Sequence, residues 1–458
     1  MNDLSRRRVI GATAMLALCL SAAAPAAAPA ADPPDVRGEL SAYVAAHPQA
    51  VVAAALVDGT RDDVAAVRGA AAPSGAADTH TRFQIGSVTK TFTATVLALM
   101  VETGDVALDD PIQRYLPAGT KAPDFHGTPI TLRSLAEQTS GLPRLAAGML
   151  NGDPANPYAA YARAQLYDDL ARVTLARAPG SQYEYSNFGY TLLGQLLANR
   201  AGTSYAELVS RRILRPLGMS DTVVVGTAAT RARLVAGYGP DGQPQRPWDF
   251  GELGAAGSIE SDLNDMLLFL KANLEAPAGP LGRATALAQE PRTPTTPDGI
   301  QKIGLAWQTN TRSGITWHNG ATGGYYAFVG FQRSSRKGVV VLANTFDPVV
   351  ETLALHLLVP ALIPAPAYAG AAHESSPYSG VYRLGATFAI TVFKQNGRLY
   401  AQGTGQPALA LRPVTGQTFA VEGVDAQVTF ELDAAGNAIA LTLHQLGADR
   451  RALKEPQK

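Results

Sequence analysis

The stretch Phe83-Gln84-Ile85-Gly86-Ser87-Val88-Thr89-Lys90, continuing into Thr91-Phe92-Thr93-Ala94-Thr95-Val96-Leu97-Ala98-Leu99, constrains this chain more than any other. An apolar lead-in ends at Gly86, and a helical pattern starts at Ser87. The helix that follows is apolar for much of its length, which predicts a buried central helix. Ser87 and Lys90 are three residues apart and so share one helix face. An ammonium group thus stands beside a hydroxyl at a helix start. A serine hydroxyl is a poor nucleophile until a neighbour takes its proton. A lysine can do so if burial or nearby cations lower its pKa. The unpaired N–H groups of the helix start suit a developing oxyanion.

Ser-x-x-Lys alone is a weak signal. A second copy, Ser334-Ser335-Arg336-Lys337, lies between the apolar run 326–331 and the strand-like 338–343 and reads as a charged hairpin turn. Two further motifs single out the first copy. Tyr183-Glu184-Tyr185-Ser186-Asn187-Phe188-Gly189-Tyr190 holds a Tyr-x-Asn ahead of an amphipathic helix over 191–201. By itself it is more often a buried aromatic turn. His318-Asn319-Gly320-Ala321-Thr322-Gly323-Gly324 follows a strand at 315–317 and places a His-x-Gly in a Gly-rich segment between strands. A lone histidine there is more often structural.

The rest of the chain supplies a scaffold. A helix is expected over 36–46, and a hairpin over 51–57 and 64–68 around Asp58-Gly59. Thr131 caps a helix that ends by Gly141 and Pro143. Residues 144–178 read as a helical lobe broken at Asn151-Gly152-Asp153-Pro154. Gly254-Ala255-Ala256-Gly257-Ser258 opens a helix over 262–274. Residues 275–300, rich in Pro and Ala, read as a long surface connection. Strands follow at 303–307, 326–331 and 339–343, then a helix at 349–359. A Pro/Ala linker over 361–375, without charge as far as Ala372, precedes short alternating segments. These predict an all-β domain over 376–455, a small barrel whose first hairpin turns at Lys394-Gln395-Asn396-Gly397.

Residues 1–31 read as an export signal. Ser5-Arg6-Arg7-Arg8-Val9-Ile10 is basic, the stretch after it is apolar, and Ala28-Pro29-Ala30 supplies small residues for cleavage. The pattern is compatible with twin-arginine or ordinary secretory export and predicts a periplasmic or secreted protein. The apolar run is shorter than the ~20 residues of a membrane span, so the mature chain is expected to have none. The single cysteine, Cys19, falls inside this signal, which excludes disulfides, a thiol nucleophile and Cys-ligated zinc from the mature chain. A net charge of +0 gives no electrostatic case for nucleic acid.

Taken together, Ser87/Lys90, Tyr185/Asn187 and His318/Gly320 resemble the motif set of the penicillin-recognising serine hydrolases: class C β-lactamases, DD-carboxypeptidases, D-aminopeptidases and related esterases. The resemblance spans residues 36–360 and includes Thr139-Ser140-Gly141-Leu142-Pro143 and Arg215-Pro216-Leu217-Gly218-Met219. It implies an α/β (α+β) fold, an antiparallel sheet flanked by helices with a helical lobe, and a C-terminal lipocalin-like barrel. It also implies that Ser87 is the acylated nucleophile and that Lys90 and Tyr185 share the base role, Tyr185 as a phenolate held by the cations Lys90 and His318. Asn187, His318, Asn319 and Gly320 would contact substrate, and the N–H groups of Ser87 and Ala321 would form the oxyanion hole. No cofactor and no metal is implied.

Histidine stands where the β-lactamases of this family carry lysine. The resemblance therefore implies a peptidase on D-amino-acid peptides, with a peptide or small-molecule substrate. A β-lactamase or carboxylesterase using the same residues is the alternative, and an inactive penicillin-binding module the remote one. No Gly-x-Ser-x-Gly and no His-Glu-x-x-His occurs, which disfavours an α/β-hydrolase and a metalloprotease.

Overall fold

The structure, a computed structural model, describes residues 34–455 apart from 73–76, 151–152, 154–155, 240–241, 367, 369–375, 385–388, 396–397, 404–407, 422–425 and 446–447. The export signal with Cys19, most of the break at 151–154, much of the 361–375 linker and the Asn396-Gly397 turn lie outside the described residues.

An eight-stranded antiparallel sheet forms the centre. Its order is Arg61–Arg68, Val51–Asp58, Lys337–Ala343, Tyr325–Gln332, Ile315–Thr322, Gln308–Asn310, Gln301–Ile303 and Thr293–Pro294. Side chains alternate between its faces, as a pleated strand requires. Ala53, Ala55, Val57, Ala327, Val329, Val340 and Leu342 face a core completed by the helices Thr89–Glu102, Asn187–Ala201 and Leu263–Glu275. Val52, Ala54, Leu56, Tyr326, Phe328 and Val341 face a second core under the helices Val36–Ala46 and Val349–Leu358. Burial on both faces explains why the strand Val51–Asp58 is a continuous apolar run as far as Val57.

The helix Thr89–Glu102 is buried from Thr89 to Met100, so its low amphipathicity is that of a central helix. It starts two residues after Ser87, which itself lies in a 3₁₀ turn, Gly86–Val88. The Ser334 copy of Ser-x-x-Lys lies in the turn Arg333–Ser335 between two strands.

Several sequence expectations shift. Residues 275–300 are not a plain surface connection: they contain the helix Pro280–Gln289, whose Ala284, Thr285 and Ala288 are buried. Small residues there permit close packing on the central helix, which a composition-based reading mistakes for a linker. The strand expected at 303–307 breaks at Ile303. Leu305 N–H instead donates to Ala288 O and Ala306 N–H to Ala136 O, with Ala306 at φ 66°. The strand Ile315–Thr322 runs through the His-x-Gly motif rather than ending before it. The helix expected at 191–201 starts at Asn187, capped by Ser186, and is buried nearly all round rather than amphipathic.

The C-terminal segment is a closed antiparallel barrel of eight strands, from Gly380–Arg383 to Ala448–Lys454. Its own core includes Tyr382, Val392, Val428, Phe430, Leu441 and Ala452. Tyr368, within the expected linker, is buried in the sheet's second core and meets the Tyr43 ring edge-on at 5.5 Å. No helix among the described residues is long and apolar enough to cross a membrane.

Candidate active site

Two glycines let the Ser87 turn press onto the strand Ile315–Thr322. Gly86 has φ 50°, and a Cβ there would fall 2.6 Å from Ala321 N. A Cβ on Gly320 would fall 2.0 Å from Ile85 O and 2.8 Å from Ser87 N. Only hydrogen at both positions permits this approach, which sets the backbone of Ala321 beside that of Ser87.

Lys90 has no exposed surface. Its Nζ donates to Ser87 Oγ at 2.9 Å and to the carbonyl of Ala256 at 2.6 Å. It also lies 4.9 Å from the centre of the Tyr185 ring. Burial, and secondarily the guanidinium of Arg144, push the Lys90 pKa well below its ordinary value. The neutral amine is therefore favoured, and a neutral amine carries the lone pair a base needs.

Tyr185 donates from its hydroxyl to Ser87 Oγ at 2.7 Å. Its loop is braced from behind. Ser186 N–H donates to Gln138 Oε1 at 2.7 Å, and Ser186 Oγ donates to Pro143 O at 2.6 Å. The segment Thr139-Ser140-Gly141-Leu142-Pro143 is thus part of the support for Tyr185. Burial raises the Tyr185 pKa, and the opposing pulls of Ser87 and Arg144 are smaller. The phenolate expected from sequence is not what this environment favours; Tyr185 is held as a phenol.

Asn187 Nδ2 donates to the hydroxyl of Tyr158 at 2.9 Å, while its Oδ1 is buried without a partner. A buried acceptor without a partner, two residues along the chain from Tyr185, suits an incoming amide N–H.

His318 departs from its expected role as a cation. It is 4% exposed, and burial, then the proximity of Lys90, push its pKa down to about 3. Its Nδ1 lies 2.5 Å from Asn319 O. A carbonyl only accepts, so Nδ1 carries the proton and Nε2 the lone pair. Asn319 does not reach the site. One residue along a strand is the opposite face, and its amide donates to Glu351 Oε2 at 2.6 Å and to the Tyr326 hydroxyl at 2.9 Å. The expectation of a substrate contact from Asn319 is corrected accordingly.

Three participants escaped the sequence reading. Arg144 is exposed, with its guanidinium carbon 5.0 Å from the centre of the Tyr185 ring, and it makes no ion pair among the described residues. It directly follows Pro143, so its place next to a recognised segment was the available signal. Tyr158 stacks on Phe250 at 4.6 Å and adjoins Trp248 at 5.6 Å, an aromatic group beside Asn187 with no periodic signature. The Ala256 carbonyl is backbone and has none.

The family model described as Beta-lactamase matches residues 39–361. The chain belongs to the Beta-lactamase family. A second match, to a domain of unknown function (DUF3471), covers residues 364–456, the barrel region. The chain is 40% identical over 152 residues to the D-alanyl-D-alanine-carboxypeptidase/endopeptidase AmpH of Escherichia coli, a match that spans 33% of this chain and 39% of that relative. Among solved structures it resembles a β-lactamase/D-alanine carboxypeptidase from Yersinia pestis, with 23% identity and a TM-score of 0.58 over 68% of this chain and 92% of that one. It also resembles a class C β-lactamase from Rhodobacter sphaeroides, with 22% identity and a TM-score of 0.60 over 71% and 98%. These structural likenesses support the Beta-lactamase fold of the region that the family model matches.

Proposed function

We propose that this chain is an exported serine peptidase that cleaves D-amino-acid peptides through an acyl-enzyme on Ser87. The observation that carries the reading is the burial of His318, which disfavours a charge where a permanent cation would otherwise stand. A cation fixed at that position would suit the carboxylate of a β-lactam. Among the described residues the exposed cation over the Tyr185 ring is Arg144. AmpH, named as a D-alanyl-D-alanine-carboxypeptidase/endopeptidase, supports the same substrate class.

In this reading the neutral amine of Lys90 takes the Ser87 proton as Oγ attacks the substrate carbonyl. The N–H groups of Ser87 and Ala321 receive the oxyanion, and Asn187 Oδ1 accepts the substrate's amide N–H. As the C–N bond breaks, Tyr185 gives its phenol proton to the leaving amine and regains one from the ammonium of Lys90, which lies 4.9 Å from the centre of its ring. A water then attacks the ester by the same proton route in reverse, restoring Ser87. The substrate is a peptide or small amide, and export through residues 1–31 would put the enzyme in the periplasm or outside the cell.

A second reading, β-lactam or carboxylester hydrolysis, has the class C β-lactamase fold in its favour. A turnover panel of D-Ala-D-Ala peptides, D-aminoacyl amides, nitrocefin and short p-nitrophenyl esters decides between them. Fastest turnover is expected on the D-peptides or amides. Nitrocefin turnover equal to or above these favours a β-lactamase, and ester hydrolysis without D-peptide cleavage an esterase.

A further inference from the structure

Behind the Ser87 turn lies a cluster that the hydrolytic chemistry does not use. Asp262 has no exposed surface. Its Oδ1 caps the helix Leu263–Glu275 by accepting the N–H of Asp265 at 2.9 Å. Its Oδ2 is buried and finds no hydrogen-bond donor. A carboxylate oxygen left so is costly unless something positive meets it. The group nearest to doing so is His80, whose Nδ1 lies 3.6 Å from that oxygen and 3.1 Å from Asp221 Oδ2. The three donor atoms lie within 4.8 Å of one another.

We infer that His80, Asp221 and Asp262 bind a divalent cation of the zinc class. Zinc bonds of about 2.0–2.1 Å in a tetrahedron put neighbouring donor atoms about 3.3 Å apart. The two His80 distances, 3.1 and 3.6 Å, bracket that edge. One imidazole nitrogen with two carboxylate oxygens suits zinc, with water as the fourth ligand. Calcium and magnesium ask for more oxygen donors and no nitrogen.

The surroundings are built for orientation. Asp78 Oδ1 accepts the N–H of His80 at 3.0 Å and the Thr81 hydroxyl at 3.2 Å, which fixes the turn carrying the imidazole. Arg233 pairs with Asp221 through Oδ1, leaving Oδ2 for the cluster. Asn264 Nδ2 lies 3.2 Å from His80 Nε2. His80 is 60% exposed at its side chain, which gives an ion a path in, while Asp262 forms the closed floor. Outer partners of this kind hold ligands in register.

The position gives the ion a structural effect. Glu260–Ser261 pairs with Phe83–Gln84, and the same stretch leads back to Ala256, whose carbonyl holds Lys90. A cation on His80 and Asp262 would pin the segment entering the Ser87 turn to the segment that positions Lys90. Because it would bind the folded chain alone, it would raise thermal stability with ion concentration.

The test uses the purified full chain stripped with chelator and titrated with zinc by calorimetry, and with cobalt followed by its visible d–d bands. The variants are His80→Ala, which alters an exposed side chain, and Asp262→Asn, which keeps an oxygen for the helix cap. One zinc per chain is expected, with a Tm that rises on zinc and falls back on chelation. Both variants should weaken that binding by at least about tenfold, the lower bound for loss even of an outer-shell partner. The cobalt bands should disappear with it. Absence of zinc binding in the wild type overturns the inference. So does binding that both variants retain, since an adventitious surface site would be indifferent to them. A Tm that rises in Asp262→Asn with no metal response in any form would instead identify a proton shared between Asp221 and Asp262.

Discussion

Lys90 holds its Nζ 2.9 Å from the Oγ of Ser87, and both its burial and the nearby Arg144 guanidinium work against its charge. A base must be neutral to accept a proton, so the fraction of active enzyme rises as pH passes upward through the Lys90 pKa. That pKa is lowered from 10.5, so kcat/KM should reach its plateau well below the ordinary lysine range. Lys90→Met, of similar length but without the amine, should cost about 10²–10⁴-fold in kcat/KM, the usual scale of general-base catalysis. A pH–rate profile that still climbs at pH 10 would remove Lys90 from this role.

Ser87 is the oxygen on which Lys90 and Tyr185 both converge. A labelled penicillin or fluorophosphonate should therefore acylate the wild type and leave Ser87→Ala unlabelled. Ser334→Ala should label normally, because Ser334 lies in an exposed turn between strands. Mass spectrometry of the labelled peptide is the check, and label retained by Ser87→Ala would refute the assignment.

What was legible in the sequence follows from what each signal measures. The order of Ser87, Tyr185 and His318 pointed to the fold because side chains of defined chemistry recur at a site. Hydrophobic runs gave Val51–Asp58, Thr89–Glu102 and most barrel strands. Periodicity could not show that Pro280–Gln289 is a helix, because its buried face carries Gly282, Ala284, Thr285, Ala288 and Gln289 and no large apolar side chain. It also could not show that His318 sits inside a strand, since Gly320 is there for close backbone approach rather than for a turn. Charge state was least legible. The neutral His318 and the phenol of Tyr185 are set by burial, which no motif encodes. Asn319 shares a motif with His318 yet faces Glu351, a consequence of strand alternation.

His318 makes a prediction about acid stability. Its pKa is about 3 in the fold against 6.5 for the free side chain, so the unfolded chain binds more protons between these values. Stability from keeping this imidazole neutral is complete above about pH 6.5 and is lost as pH falls toward 3. The full effect is up to about 4–5 kcal/mol at 1.36 kcal/mol per pKa unit. His318→Gln, which cannot be protonated, should lose less stability from pH 7 to pH 4 than the wild type in urea titrations. An identical pH dependence would mean that the histidine titrates alike in the folded and the unfolded chain. The same variant should leave the acidic limb of kcat/KM in place, because that limb belongs to Lys90.

Tyr368 marks where the chain can be cut. The barrel has a core of its own, and independent folding of the two parts is the proposal to test. A chain ending at Ala365 loses the Tyr368 ring from beside Tyr43, whereas one ending after Tyr368 keeps it. Burying one aromatic side chain is worth about 1.5–3 kcal/mol. Both truncations should fold and label at Ser87, with the longer one the more stable in thermal denaturation. Aggregation of both would show that the barrel is required for folding of the catalytic part.

Arg144 provides the test of substrate class within the site. Its guanidinium lies over the Tyr185 ring with no carboxylate paired to it among the described residues, and the neutral His318 offers no competing charge. A peptide entering with a free C-terminal carboxylate would find there the fork of donors that matches it. Hydrogen bonds to charged groups contribute about 1.5–3 kcal/mol, so Arg144→Gln should raise KM by about 10- to 100-fold for such peptides. Since the same guanidinium helps hold the Lys90 pKa down, Arg144→Gln should also shift the acidic limb upward in pH. Peptides whose terminal carboxylate is amidated should show the limb shift without the KM penalty. That contrast separates recognition of substrate from tuning of the base. An equal KM change for free and amidated peptides would mean that Arg144 does not read the terminus.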